Sequence, residues 1–195
     1  MRATQTLIAA WSISSLLSAT PALAADATAR ELNGVALAES VTTADGTRLT
    51  LNGAGVRSKF IVDVYVAALY LPQKTTNAVT AWQGAGTKRI QLHFLREVDA
   101  KKIVAAWDEG FAANTGAADL TRLRDRIERF NALFPTLRKG DIVSLEYVPA
   151  RGTQVSIGAQ DRGLIAGDDF AQALFRIWLG EQPVSAKLKA SLLGS

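Results

Sequence analysis

One arginine stands where the sequence could hold an anion. Arg57 follows two glycines in "LNGAGVR" and leads into Phe60 to Leu71, where Asp63 is the only charged residue. A guanidinium is a planar fork of donors, always charged, that suits a carboxylate or phenolate. If residues 57 to 71 run extended without a bulge, Arg57, Asp63 and Tyr65 share one face. Phe60, Val62, Val64, Val66, Ala68 and Tyr70 then form an apolar face that must meet a core. Tyr65 supplies a hydroxyl donor beside the arginine. Two arrangements satisfy this pattern: Arg57 and Tyr65 hold an external anion, or Arg57 pairs with a local acid such as Asp63.

Other chemistries lack their residues. The chain has no cysteine and one histidine, which excludes disulfides, thiolate nucleophiles and a histidine metal pair. His93 has no partner to tune it and reads as a structural strand residue. "GAG" at 53 to 55 lacks the following glycine and helix of a dinucleotide site. No hydrolase, metalloprotease or phosphate-loop motif occurs. No cofactor and no metal are expected. "RLRDRIERF" reads as the solvated face of an amphipathic helix, with Arg124–Glu128 and Asp125–Arg129 at i,i+4 spacing. A formal charge of +4 is too small to argue for nucleic acid. Trp82, Trp107 and Trp178 fall on apolar faces and read as core.

The start of the chain has its own logic. Arg2 is the one charge before a mostly apolar Leu7–Leu17 run, and Ala22-Leu23-Ala24 gives an A-x-A cleavage pattern. Residues 1–24 therefore read as a secretory signal. The run is far short of the roughly 20 residues that span a bilayer, so no stable membrane insertion is expected after its removal. Taking 24 from 195 leaves 171 residues, 25–195, enough for one domain. Without Arg2 the charge falls from +4 to +3. A cysteine-free exported chain fits the periplasm.

The elements that position Arg57 follow from periodicity and turn residues. Val35 to Leu51 reads as a hairpin about Asp45-Gly46, and a long strand runs from Lys59 to Leu71, ending at Pro72. Thr75 to Trp82 reads as a short helix, and "KRIQLHFL" as a strand with Ile90, Leu92 and Phe94 on one face. Asp99 caps a helix striped by Ile103, Trp107 and Phe111. A second helix buries Leu120, Leu123, Ile127, Phe130 and Phe134. "DIVSLEYVP", "TQVSIG" and "RGLIAG" form a meander. Asp168 and Asp169 then open a helix burying Phe170, Ala173, Leu174, Ile177 and Trp178, and Ser185 to Leu193 closes the chain. The predicted class is α+β, an antiparallel β-sheet backed by a layer of α-helices.

Two separated segments, "LNGAGVRSKFIVDVYVAALYL" and "GDDFAQALFRIWLGEQPVSAKLKASLLG", resemble the chalcone isomerase-like superfamily, in particular its exported bacterial members. The resemblance covers nearly all of residues 33 to 194. It implies an open-faced sandwich with an apolar cleft between sheet and helices. In the plant enzymes of the family a chalcone phenolate adds to its own enone, and the arginine matched by Arg57 steers anionic oxygen. The strand threonine of those enzymes is matched by Tyr65. The catalytic tyrosine has no counterpart in "REVDAKKIVAAW", and the final-helix threonine falls at about Ile177. Each lost donor costs about 3 kcal/mol of transition-state stabilisation. Non-catalytic branches bind fatty acids through an arginine and a tyrosine, a pairing similar to Arg57 with Tyr65.

The expected function is therefore an exported, non-catalytic binding protein for a small amphipathic anion such as a fatty acid. Two alternatives stand beside it. One is an isomerase acting on a conjugated carbonyl compound, and the other a structural or partner-binding envelope protein.

Overall fold

The computed structural model describes residues 29–195, so the expected signal segment lies outside the described residues. Seven strands form one antiparallel sheet in sequential order: β3 (Ser40–Thr42), β4 (Arg48–Lys59), β5 (Val62–Leu71), β6 (Lys88–Phe94), β7 (Ile142–Val148), β8 (Gly152–Ile157) and β9 (Gln160–Ile165). A separate hairpin, β1 (Ala29–Leu32) and β2 (Val35–Ala38), precedes them. Its Asn33-Gly34 corner has φ of 51° and 75°, the double left-handed turn that matches strand twist.

Helices cover one face of the sheet. They are α1 (Ala78–Gln83), α2 (Ala100–Asn114), α3 (Ala117–Asn131), α4 (Asp168–Leu179) and α5 (Ala186–Leu192). Asn77, Asp99 and Ser185 cap α1, α2 and α5 by accepting backbone N–H bonds, which satisfies donors the first turn leaves free. Between sheet and helices lies the larger core. Ala67, Leu69, Ile90, Leu92 and Phe94 meet Trp107, Phe111, Phe130, Leu174 and Trp178 there. Leu49, Leu51, Ala54, Val66, Ala68 and Tyr70 form a smaller core on the opposite face, with Leu37 of the first hairpin.

The α+β class, the helical layer and the meander agree with the sequence reading. The stretch around Arg57 does not. Gly53 and Gly55 are not in a turn. They are strand residues of β4, and the turn comes later, at Phe60-Ile61. The predicted Lys59–Leu71 strand is thus the second arm of a hairpin. The glycines serve closeness instead of turning: a Cβ on Gly53 would sit 2.2 Å from the Ser191 carbonyl oxygen, and one on Gly55 2.7 Å from Ser191 Cβ. Helix α5 lies directly on bare β4 backbone.

Asn52 locks that contact. A register shift between Leu51 and Gly53 sets it apart from the ladder. Its Nδ2 donates to Leu192 O (2.7 Å) and Thr75 O (3.0 Å), while its Oδ1 accepts from Thr75 N at 2.7 Å. One buried amide ties the strand, the connection after β5 and the end of α5.

Candidate functional site

Arg57 and Tyr65 are direct partners across the β4–β5 ladder. Residues opposed in an antiparallel pair point to the same face, so the two side chains do stand together. The reason is cross-strand pairing and not alternation along one strand. Gly53, Gly55 and Arg57 pair with Leu69, Ala67 and Tyr65, and Ala67 and Leu69 belong to the larger core. The pair therefore occupies the helix-facing side of the sheet, at the end of a row covered by α5.

Asp63 does not pair with Arg57. It accepts from Ser58 Oγ at 2.6 Å and Asn33 Nδ2 at 2.8 Å, and these bonds hold its carboxyl below the usual range. None of the ion pairs among the described residues includes Arg57. Its Nη1 donates to the Ser58 carbonyl, which leaves most of a five-donor fork unused.

Tyr65 carries the second polar group. Its hydroxyl accepts from Trp178 Nε1 at 3.1 Å, and its ring lies 5.7 Å from Phe94. Burial pushes the phenol up to about 12, against the lowering influence of the Trp178 N–H and the Arg57 charge. It is a neutral donor at physiological pH, beside a cation. Beneath it the layer is filled: the Trp107 ring lies 5.6 Å from Trp178 and 5.4 Å from Phe134. Trp107 Nε1 is buried without a partner.

Two concavities lie elsewhere. A cavity of about 90 Å³ is lined by Trp82, Lys88, Tyr147 and Asp168, and a groove of about 290 Å³ by residues of α2 and α3 including Phe111 and Arg124. Neither includes Arg57 or Tyr65. In the first, Lys88 Nζ donates to Trp82 O (2.9 Å) and Gly84 O (2.5 Å) and lies 5.3 Å from the Tyr147 ring centre. Sequence reasoning missed this lysine. The available signal was its parity, since Lys88 shares a face with Ile90, Leu92 and Phe94.

The remaining sequence-predicted residues fall as follows. His93 faces the smaller core's side, where Val66 is its ladder partner. Burial lowers its imidazole pKa, and Nε2 has no partner. No group of metal-binding side chains occurs among the described residues. Ile177, at the final-helix threonine position, is buried and packs on Gly110 of α2. The α4 residue that reaches the pair is Trp178. On α3 the expected i,i+4 ion pairs do not form. Arg129 instead bonds the Asp125 carbonyl, and Arg126 makes a two-pronged pair with Asp169 at 2.6 and 2.8 Å. No helix among the described residues is long and apolar enough to cross a membrane.

Comparison with known proteins agrees with this architecture. No protein of curated function matches the sequence. Among solved structures, a fatty-acid binding protein from Arabidopsis thaliana is similar, with a TM-score of 0.58 at 15% identity, covering 80% of this chain and 100% of that one. At that identity the likeness is one of fold. The family described as chalcone isomerase-like matches residues 29–194, and the chain belongs to that family.

Proposed function

We propose that the protein binds a small amphipathic anion, a fatty acid being the type, with its carboxylate held by Arg57 and Tyr65. One observation carries this reading: a partly buried arginine with no acidic partner faces a tyrosine whose hydroxyl accepts from Trp178 and has its own proton to give. The carboxylate takes the Arg57 fork and the Tyr65 O–H, and the alkyl chain enters the apolar layer between sheet and helices. Fold likeness to a fatty-acid binding protein supports the class of ligand.

A charge-assisted bond contributes about 1.5–3 kcal/mol, and each buried methylene about 0.8 kcal/mol. Affinity should climb from octanoic to hexadecanoic acid. Calorimetric titration of that series into wild type and Arg57→Ala tests the reading. Heat that grows with chain length and is lost in the variant supports it, whereas no binding, or equal binding by the variant, rejects it.

The filled layer around Trp107 and Trp178 favours a second reading, an envelope protein that holds no ligand and acts through a partner. In that case no acid binds, and tryptophan fluorescence stays constant throughout the titration.

A further inference from the structure

The turn between β4 and β5 breaks two local rules at once. Phe60 and Ile61 form a two-residue tip, since Lys59 pairs with Val62, and both are almost fully exposed, at 94% and 98%. Phe60 also adopts φ 56°, a conformation that glycine or asparagine takes readily and a bulky residue does not. A solvated turn gains nothing from two large apolar side chains, one of them strained. Such a conflict between local preference and structure marks a functional position.

We propose that this tip is a membrane-contacting wedge that dips into the headgroup region of an anionic bilayer. Three features select a lipid surface. The wedge is flanked by cations, Lys59 on the tip's own strand and Arg57 two residues back, with Lys187 of α5 close enough to influence Asp63. Asp63, the acid within this group, stays ionised under its bonds from Ser58 and Asn33, and the three cations outnumber it. Cations beside exposed apolar residues suit anionic headgroups over acyl chains. Size also counts against a protein partner: stable interfaces bury about 800 Å² per side, while large aromatic side chains bury only about 150–250 Å² each. Arg96 and Glu97, at the neighbouring strand end, balance each other. The contact is peripheral and does not cross the membrane. It would present the Arg57–Tyr65 end of the sheet to the bilayer, but it stands whether or not that pair holds an acid.

The test is vesicle co-flotation of the chain beginning at Ala25, which contains the whole described fold. Vesicles of phosphatidylglycerol with phosphatidylethanolamine are compared with phosphatidylcholine alone. Wild type should float with the anionic vesicles, and the double variant Phe60→Ser/Ile61→Ser should bind about tenfold less or weaker still. Lys59→Glu should lose binding and flatten its salt dependence. Circular dichroism melts confirm that the variants fold, as expected for exposed positions. The cysteine-free chain allows a second readout: Ile61→Cys carrying an environment-sensitive dye should shift to the blue with anionic vesicles only. Flotation with neither vesicle type, undiminished flotation of the serine variant, or tip-dependent self-association in place of flotation would each overturn the proposal. Acid binding in solution should be unchanged in the serine variant and lost in Arg57→Ala, which separates failure of the wedge from failure of the ligand site.

Discussion

The Trp178 indole nitrogen donates to the Tyr65 hydroxyl across 3.1 Å, joining the last long helix to the second arm of the main hairpin. Trp178 is 1% exposed, so its N–H has no water to turn to. Tyr65→Phe therefore acts on the fold as well as on a ligand. It leaves a buried donor unsatisfied, which costs about 1–3 kcal/mol. Denaturant unfolding should show that loss, and Tyr65→Phe combined with Trp178→Phe should lose less than the sum of the two single changes. Ligand affinity should fall by about 0.5–1.5 kcal/mol in Tyr65→Phe, read by titration.

Close seating of α5 on β4 gives a second expectation. Gly55→Ala places a methyl 2.7 Å from Ser191 Cβ and 3.0 Å from Leu188 Cδ1. Overpacking of this kind costs about 1–3 kcal/mol. Gly53→Ala should cost more, because its obstacle is backbone: the Ser191 and Leu192 carbonyls lie within 2.7 Å. Thermal melts of the two variants, ranked against wild type, check the order.

Lys88 makes stability depend on pH. Burial lowers its pKa from 10.5 to about 8, with Asp168 opposing the shift. Below about 8 both folded and unfolded chains hold the proton, so the burial penalty is fully present. Above it the folded chain releases its proton while the unfolded chain keeps it to 10.5. Stability should accordingly rise as pH passes upward through this window. Lys88→Met should flatten the profile there, measured by unfolding at a series of pH values.

Tyr65, Tyr70 and Tyr147 bend the same profile downward at higher pH. Burial raises each from 10.0 to about 12. The unfolded chain ionises first, so stability falls as pH climbs from 10 towards 12. The appearance of tyrosinate absorbance should coincide with unfolding instead of preceding it.

Phe60→Gly should stabilise the protein. Glycine removes the left-handed strain at φ 56°, worth about 1–2 kcal/mol, and gives back part of that through unfolded-state entropy. A higher melting temperature is the expected result.

Much of the fold is legible because periodicity reports burial directly. The 103–107–111 stripe, the Asp99 cap and the three-strand meander each announce themselves over a short span. The Arg57 region misleads for a physical reason. Glycines commonly mark turns, yet here they mark close approach of a helix 133 or more residues away (Gly55 to Leu188), which no local pattern encodes. Phe60-Ile61 carries no turn residue, so the true corner is invisible as one. Strand alternation still put Arg57 with Tyr65, although their bond of position is a ladder pair across that corner. Trp178 and Asn52 act through partners far along the chain, and only the folded structure shows them.

Native mass spectrometry of the chain from Ala25 onward, incubated separately with dodecanoic acid and with its methyl ester, tests the clasp most directly. Both ligands carry the same alkyl chain, and only the acid offers a charge to Arg57. A one-to-one adduct with the acid, absent with the ester and absent in Arg57→Ala, is the predicted result. Bare protein in every sample, or equal adducts with acid and ester, would contradict the assignment of Arg57 and Tyr65 as an anion site.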